Sequence, residues 1–309
     1  MRRPDLREAA MFEEAQLYAP VTRSGDDVTV HLAADHPGAV DPEYRARRNA
    51  IAALAMDWQP GTPPPVATYT DDEQEVWRIA CAELHRLHQR RACTEYLQGR
   101  ERLGLPEDRI PQLVEVNEKL RPLTGFQYVP AAGLVPLREF YGLLADGIFH
   151  STQYIRHHSV PLYTPEPDLI HEVVGHGNCL AHERFAALYR LAGQAAQRVK
   201  TTEALEFVSK VFWFSLEFGV VRQHGEVRTY GAGLLSSYGE IQQIDVADLR
   251  PLNIARMGVQ TYDITHYQPI LFCARGFGEI EDVVGGFFAE VDDTMVERLV
   301  HDAAQVTGR

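Results

Sequence analysis

Two histidines that could share a metal ion lie in the segment PDLIHEVVGH. His171 and His176 are five residues apart, one more than in the His-Glu-x-x-His signature of zinc proteases, and Glu172 lies between them. On a straight α-helix, side chains four residues apart point about 40° apart, whereas side chains five residues apart diverge by about 140°. We therefore expect the helix to end or unwind at Gly175, so that His176 swings back toward His171.

A carboxylate in an apolar segment is the candidate for a third ligand. Glu217 lies inside the run VSKVFWFSLEFGVV, where its helical neighbours include Trp213 and Val221. Burial of a carboxylate is costly unless the group is paired with a cation or bound to a metal. A salt bridge to an arginine would also satisfy Glu217, so the residues alone leave both interpretations open.

Two imidazoles and one carboxylate would leave several coordination positions of a metal open. This set of ligands suits Fe(II) in enzymes that activate dioxygen, because dioxygen and a second substrate both need room at the metal. Two alternatives are a zinc-dependent hydrolase with Glu172 as general base and a metal-binding protein without catalysis.

The composition limits the partners and the location of the chain. Its 309 residues, 45% of them hydrophobic and 24% charged, are typical of a globular protein with a sizeable core. The formal net charge of −13 argues against nucleic acid and acidic membrane surfaces as partners. The sequence has no long apolar run or signal segment, and its four cysteines form no CxxC pair. We expect a cytoplasmic protein, either a monomer or a small homo-oligomer.

Helical patterns dominate the chain. Asp41-Pro42 is typical of an N-cap and a first helical residue, and Thr70 with Glu73 forms a capping-box pattern. Helices are expected to follow both signals. Further helices are predicted at about residues 111–120, 136–146, 167–176, 183–199, 202–219 and 278–306.

A few short strands complete the prediction. The segment VTVHL alternates like a strand, His224-Gly225 lies between β-prone flanks as in a hairpin, and DITHYQPILFCAR predicts another strand. Residues 1–27 are charged and irregular. The predicted fold class is α+β and mainly helical, with an N-terminal arm at residues 1–30 and a single domain at residues 31–309.

Several long motifs resemble the catalytic domain of the pterin-dependent aromatic amino acid hydroxylases. They include STQYIRHHSVPLYTPEPDLIHEVVGH, FWFSLEFG and YGAGLLSSYGE, and also ADHPGAVDPEYRARR and EDRIPQLVEVNEKLRPLTGF upstream. The resemblance covers residues 31–290 approximately. It implies that His171, His176 and Glu217 hold one catalytic Fe(II), that a tetrahydropterin supplies two electrons, and that dioxygen is the co-substrate. The zinc hydrolase then becomes a remote alternative.

The resemblance also assigns residues to the amino acid substrate. Arg156 corresponds to the arginine that binds the substrate carboxylate, a role for which its planar, two-pronged guanidinium is suited. It also implies that Thr164 and Ser236 provide hydroxyl contacts and that Pro167 and Trp213 form walls for the aromatic ring. Ile264 stands at a position that differs between family members.

A second set of residues corresponds to the pterin site. Phe140 matches the aromatic ring that stacks on the cofactor, and Gly133 and Leu134 match the backbone groups that bind its edge. His150 and Glu172 line the same space. By this resemblance Glu172 contacts the pterin and is not the base of a protease.

The substrate follows from two pocket positions. Trp213 matches the phenylalanine and tyrosine hydroxylases and would crowd an indole, which disfavours a tryptophan hydroxylase. Ile264 leaves the hydroxyl of a bound tyrosine without a partner. We expect hydroxylation of free L-phenylalanine to tyrosine. The segment Gly177-Asn178-Cys179 departs from the usual family pattern, and the meta-tyrosine product of a phenylalanine 3-hydroxylase is therefore the main alternative.

Overall fold

Helices form most of the fold, and the few strands are short, as predicted. The computed structural model describes residues 19–264 and 266–307. Among the helices in these two ranges, none is long and apolar enough to cross a membrane. The α-helices are α1 (Pro42–Asp57), α2 (Asp71–Arg91), α3 (Thr94–Leu103), α4 (Leu113–Thr124), α5 (Leu137–Leu144), α6 (Asn178–Leu180), α7 (Glu183–Arg198), α8 (Thr202–Phe212), α9 (Ala232–Ser236), α10 (Ile254–Val259), α11 (Phe277–Glu279), α12 (Gly286–Glu290) and α13 (Asp293–Thr307).

Three helical segments have π geometry, and one short segment is a 3₁₀-helix. The π-helices are Ile170–Gly177, Trp213–Glu217 and Ile280–Gly285, and the 3₁₀-helix is Glu240–Gln242. Each π-helix is continuous with an α-helix, so these segments are widened turns of longer helices.

Eight strands form three small sheets in the described residues. They are β1 (Val21–Ser24), β2 (Asp27–Val30), β3 (Gln127–Pro130), β4 (Ile148–Ser151), β5 (Val220–Gln223), β6 (Glu226–Thr229), β7 (Asp248–Pro251) and β8 (Ile270–Ala274). Strands β1 and β2 form an antiparallel hairpin, and β3 pairs with β4 in parallel. The third sheet has the order β6-β5-β8-β7, in which only β5 and β6 are antiparallel.

The predicted helix starts are confirmed by hydrogen bonds. Asp41 accepts the backbone N–H groups of Glu43 and Tyr44 at 2.9 and 3.1 Å, and this caps α1. Thr70 and Glu73 accept each other's backbone N–H groups, which is the reciprocal bonding of a capping box. These bonds satisfy donors that the first turn of a helix leaves free.

The predicted hairpin at His224-Gly225 is also confirmed. Strands β5 and β6 pair on either side of these residues, whose φ angles are 53° and 80°. Two successive residues with positive φ give the turn that matches the twist of a hairpin.

The structure differs from the prediction at the N-terminal arm. Over residues 21–30 the chain is not irregular but forms the β1–β2 hairpin, in which Val28 and Val30 are buried against Ala52 of α1. The alternation that predicted β2 is correct, whereas β1 has an almost fully exposed face and so carried no strand signal. Residues 1–18 lie outside the described part of the chain.

Helix α7 lies at the centre of the core and packs closely on α5. Gly193 of α7 faces the end of α5, where an added Cβ would lie 2.1 Å from the backbone nitrogen of Ala145. Gly142, on α5, has no such neighbour, since the nearest atom to an added Cβ is Cγ of Gln197 at 4.0 Å. The two backbones are therefore in close contact at Gly193 and not at Gly142.

We predict opposite effects of alanine at these two glycines. Gly193→Ala should lower the free energy of unfolding by about 1–3 kcal/mol or more, because the backbone of α5 must move. Gly142→Ala should leave it unchanged or raise it by up to about 1 kcal/mol, because alanine favours the helix. Denaturant unfolding of both variants tests this, and equal stabilities would contradict the proposed close contact.

Candidate metal centre

The two histidines of the first π-helix face each other across a buried point. In a π-helix each N–H bonds the carbonyl five residues earlier, so residues five apart lie on the same side of the helix. The Nε2 atoms of His171 and His176 are 3.0 Å apart. The predicted unwinding at Gly175 is wrong, since the helix widens there and continues to Gly177.

Glu217 reaches the same point from the second π-helix. Its Oε1 lies 3.0 Å from Nε2 of His176, and its Oε2 lies 3.9 Å from Nε2 of His171. The three side chains form one of two groups of potential metal ligands among the described residues. Two imidazole nitrogens and a carboxylate at this spacing can bind one divalent ion and leave other positions open.

Hydrogen bonds at the outer nitrogens orient both imidazoles. Ser236 Oγ lies 2.9 Å from Nδ1 of His171 and donates to the carbonyl of Gly233, so it accepts a proton from Nδ1. Tyr189 OH lies 2.7 Å from Nδ1 of His176. A proton held at Nδ1 leaves the lone pair of Nε2 free, as a metal ligand requires.

The protonation of the site favours metal binding. Burial, together with the charge of His176, lowers the pKa of His171 to about 4, so this imidazole is neutral at pH 7. Burial alone would raise the pKa of Glu217, but His176 and His171 hold it below its usual value. His171 thus presents a neutral nitrogen and Glu217 an anionic oxygen, the forms that coordinate metals.

A buried ion pair connects Arg156 to the metal-bearing helix. Nε and Nη2 of Arg156 each donate to Asp168 at 2.8 Å, and both side chains are almost completely buried. Asp168 also accepts the backbone N–H of His171 at 3.2 Å. Although burial opposes ionisation, Arg156 holds the pKa of Asp168 below its usual value. The pair fixes Arg156 relative to His171.

One cavity of about 230 Å³ contains the three potential ligands and the residues assigned to the substrate. The lining of this cavity combines ionisable and aromatic side chains. Arg156 and Glu240 are among the ionisable ones, and Trp213 stacks on Tyr262 with ring centroids 4.0 Å apart. Every substrate position predicted from the sequence lines this cavity, namely Arg156, Thr164, Pro167, Trp213, Ser236 and Ile264.

An adjoining cavity of about 50 Å³ contains the residues assigned to the pterin. Strands β3 and β4 and helix α5 position them, since the segment after β3 carries two of them, β4 one and α5 another. Glu172 on the π-helix is the fifth, and it lines both cavities. The predicted pterin residues Gly133, Leu134, Phe140, His150 and Glu172 all line this space.

Two residues of this adjoining cavity have polar atoms suited to a ligand. Nδ1 of His150 is buried and has no hydrogen-bond partner among the described residues, and burial lowers the pKa of this imidazole. Burial, and then the nearby Glu217 and Asp168, raise the pKa of Glu172 well above its usual value. A neutral imidazole can accept a proton and a neutral carboxyl group can donate one, so together they can bind a planar, polar ring.

The second group of potential metal ligands lies outside these cavities. It consists of Asp41, His157 and His158. Nδ1 of His157 accepts the N–H of Ser159, and its Nε2 lies 3.1 Å from Asp41, which already caps α1. These contacts satisfy His157 without a metal, so we assign the metal to the buried group.

The structure adds Tyr189 to the site and places the segment Gly177-Asn178-Cys179 outside it. Tyr189, in the middle of α7, orients His176 but has the spacing of an ordinary core residue. The segment Gly177-Asn178-Cys179, whose departure from the family pattern made meta attack the main alternative, contributes no residue to the lining of the cavity that holds the three potential ligands. Asn178 turns away from the metal and donates to the carbonyl of Val174 at 2.9 Å.

The fold and the site together define a mononuclear metal protein with an adjoining cavity for a planar cofactor. A family model described as biopterin-dependent aromatic amino acid hydroxylase matches residues 20–302. The chain belongs to this family.

Relatives and solved structures agree with the family. The chain is 52% identical over 265 residues to phenylalanine 3-hydroxylase of Streptomyces coeruleorubidus, covering 86% of this chain and 95% of the relative. It is 41% identical over 266 residues to bovine phenylalanine-4-hydroxylase, covering 84% of this chain but only 59% of that protein. The chain therefore spans little more than half the length of the bovine relative.

A phenylalanine hydroxylase from Chromobacterium violaceum, solved with iron(III) and 7,8-dihydrobiopterin, has the same fold. It matches with a TM-score of 0.68 and 28% identity, over 74% of this chain and 84% of that one. The cold-active phenylalanine hydroxylase from Colwellia psychrerythraea, in its apo form, matches with a TM-score of 0.71 and 28% identity, over 79% and 94% of the two chains.

We predict that alanine at His171, His176 or Glu217 abolishes iron retention, because each change removes one of only three protein ligands. The matched control is His158→Ala, which removes an exposed member of the second group and should retain full iron. Iron per chain after gel filtration is the measurement. Full iron in a variant of the buried group, or loss of iron from His158→Ala, would contradict the assignment.

Proposed function

We propose that this protein is an Fe(II)- and tetrahydropterin-dependent monooxygenase that hydroxylates the aromatic ring of free L-phenylalanine. The convergence of His171, His176 and Glu217 in a cavity that also contains Arg156 carries this proposal. The adjoining cavity supports the cofactor. We place the catalytic domain at residues 31–309, with the β1–β2 hairpin packed on it, and the protein in the cytoplasm, which agrees with its four free cysteines.

The residues present fit the groups that the family uses. His171, His176 and Glu217 would hold Fe(II), and the five residues of the adjoining cavity would hold the pterin. When bound, iron and tetrahydropterin supply the activation of dioxygen, with the two electrons coming from the pterin. The protein leaves room for this chemistry because it offers only three ligands to the metal.

Arg156 is suited to bind the carboxylate of the amino acid. Asp168 occupies the edge formed by Nε and Nη2, and no hydrogen bond from Nη1 to a described residue is present. A guanidinium has five N–H donors, so both N–H groups of Nη1 and one of Nη2 remain for a carboxylate. Asp168 would thus orient Arg156 and balance part of its charge without blocking substrate.

The apolar residues of the cavity are suited to an unsubstituted ring. Trp213 and Tyr262 form one stacked wall, and Pro167 and Ile264 add apolar surface. Ile264 provides no partner for the hydroxyl of a bound tyrosine, and an unpaired hydroxyl in a dry pocket costs about 1–3 kcal/mol. The bulk of Trp213 leaves less room for an indole. Both features favour phenylalanine over tyrosine and tryptophan.

In the adjoining cavity, Phe140 provides a ring and Glu172 a polar contact for the pterin. Phe140 contacts Phe149 edge-on, with centroids 5.3 Å apart, and lines both cavities. Phe149 in turn contacts the imidazole of His176. Phe140 is therefore separated from a metal ligand by one aromatic ring, that of Phe149. The neutral carboxyl group of Glu172 would donate a hydrogen bond to the pterin.

Two ring positions are candidates for hydroxylation. The 52% identity with phenylalanine 3-hydroxylase, over nearly all of that protein, favours attack at the meta carbon. The relatives named phenylalanine-4-hydroxylase, at 41% identity or less among the vertebrate ones, favour attack at the para carbon, which is also the first expectation from the sequence. We propose meta-tyrosine as the product and tyrosine as the second candidate.

We predict that the iron-loaded protein, given tetrahydrobiopterin and dioxygen, converts phenylalanine far faster than tyrosine or tryptophan. Chromatography of the product against authentic meta-tyrosine and tyrosine identifies the ring position. Tyrosine as the product would select the second candidate. A kinetic preference for tryptophan, or pterin oxidation without any hydroxylated amino acid, would contradict the proposed substrate.

We further predict that Phe140→Ala raises the half-saturating pterin concentration by several-fold to about tenfold, because stacking contributes roughly 1 kcal/mol beyond buried area. The half-saturating phenylalanine concentration should change little. Phe140→Tyr keeps the ring and is the control, so it should need about the normal amount of pterin. An unchanged pterin requirement in Phe140→Ala would remove Phe140 from the pterin site.

A further inference from the structure

A second large cavity lies on the opposite side of the metal-bearing π-helix. Its volume is about 300 Å³, at the lower end of the range for small-molecule sites. Val174 and Asn178 close it from the side of the π-helix, whereas His171, Glu172 and His176 face the catalytic cavity. The remaining walls come from α2, from α3 and from residues 104–107. The proposed function gives this cavity no role.

Asn178 and His88, which both line this cavity, carry acceptor atoms that the described residues leave unsatisfied or weakly bonded. Asn178, with only 1% of its surface exposed, uses Nδ2 to donate to Val174 O and Tyr96 OH, at 2.9 and 3.1 Å. Its Oδ1 has no hydrogen-bond partner among the described residues. Nε2 of His88 lies 2.6 Å from the carbonyl of Leu235 and so carries the proton, which leaves Nδ1 as an acceptor.

Tyr96 cannot supply both missing protons. Its hydroxyl lies 2.8 Å from the carbonyl of Val174 but 3.3 Å from Nδ1 of His88, so its single proton goes to the carbonyl. Burial lowers the pKa of His88 to about 3, so this ring does not gain a second proton at neutral pH. Asn178 Oδ1 therefore lacks a donor among the described residues, whereas Nδ1 of His88 has the long contact with Tyr96 OH.

The walls and the outer end define the rest of such a ligand. Trp77, Leu84 and Leu97 give the cavity apolar sides. At the outer end Arg100 pairs with Glu107, and both are partly exposed. A molecule that fits would have a hydroxyl at one end, an aromatic or aliphatic body, and a zwitterion whose carboxylate meets Arg100 and whose ammonium meets Glu107.

We propose that this cavity binds hydroxylated phenylalanine, the product of the reaction, with its ring hydroxyl at Asn178 and its amino acid group at Arg100 and Glu107. This assignment rests on the proposed function. Phenylalanine has the same zwitterion and nearly the same shape, but it has no ring donor and leaves Asn178 Oδ1 unsatisfied. The cavity distinguishes product from substrate through this one hydrogen bond.

The position of the cavity gives product binding a route to the metal. Val174 lies between His171 and His176 in the π-helix, and Asn178 is the first residue after this π-helix. A ligand that bonds Asn178 contacts the opposite face of the helix that carries two metal ligands. The site is thus placed to couple the amount of product to the geometry at the metal.

Binding without turnover tests the proposal. The chain has three tryptophans, so the iron-loaded double variant Trp58→Phe and Trp213→Phe, without pterin or dioxygen, keeps Trp77 in the proposed product cavity as the single fluorescent reporter. The ligands are meta-tyrosine, tyrosine and phenylalanine, with tryptophan excited at its red edge. We expect at least one hydroxylated amino acid to bind about tenfold more tightly than phenylalanine. Trp77→Phe should remove the signal.

Two arginines on α3 provide a matched pair of variants. Arg100→Gln removes the partner of the carboxylate and should weaken binding about tenfold. Arg102→Gln, two residues further on the same helix, does not line the cavity, pairs with Glu183 and should bind normally. No saturable change at Trp77, equal affinity for phenylalanine, or equal effects of the two substitutions would overturn the proposal.

The same measurement separates this proposal from the proposed function. If binding fails while the enzyme hydroxylates phenylalanine, only the second site is wrong, and the cavity then holds water. If no hydroxylation occurs, binding at Trp77 is still measured directly, because the titration needs no turnover.

Discussion

The site depends on bringing two side chains that are five residues apart to one point. An α-helix separates the directions of His171 and His176, and only a wider turn places both imidazoles on one face. The π-helix Ile170–Gly177 provides that turn, and a second π-helix brings Glu217 to meet them. Ser236 and Tyr189, which bond the outer nitrogens, then fix the two rings. The cavities and the ion pair around the site are built on this arrangement.

Three buried carboxyl groups close to this point are kept in different states by their neighbours. Asp168 is ionised because Arg156 donates two hydrogen bonds to it, and Glu217 is ionised because two imidazoles lie beside it. Burial, and then the other two carboxylates, raise the pKa of Glu172. One kind of side chain can therefore balance a charged arginine, bind a metal and donate a proton within a single site.

The sequence predicts much of the architecture but not its irregular parts. Asp41 and Thr70 predict helix starts because their side chains bond backbone N–H groups of the first turn. His224-Gly225 predicts a hairpin because few residue pairs adopt two positive φ angles. The width of the helix at His171 depends on packing against α9, where an added Cβ on Gly175 would lie 2.8 Å from Ala232 O. The parallel pairing of β3 with β4 and the role of Tyr189 likewise depend on contacts far apart in the chain.

The π-helix also constrains insertions and deletions in the segment that carries His171 and His176. A π-helix differs from an α-helix by one extra residue in a turn. Removing one residue between His171 and His176 would give a regular α-helix with its histidines four apart, the spacing that zinc proteases use. Surface loops tolerate insertions and deletions, but here a single deleted codon would rotate Asn178 and the helix that follows it relative to His171 and the chain before it. The number of residues in Ile170–Gly177 is therefore fixed by the need to place both imidazoles on one face.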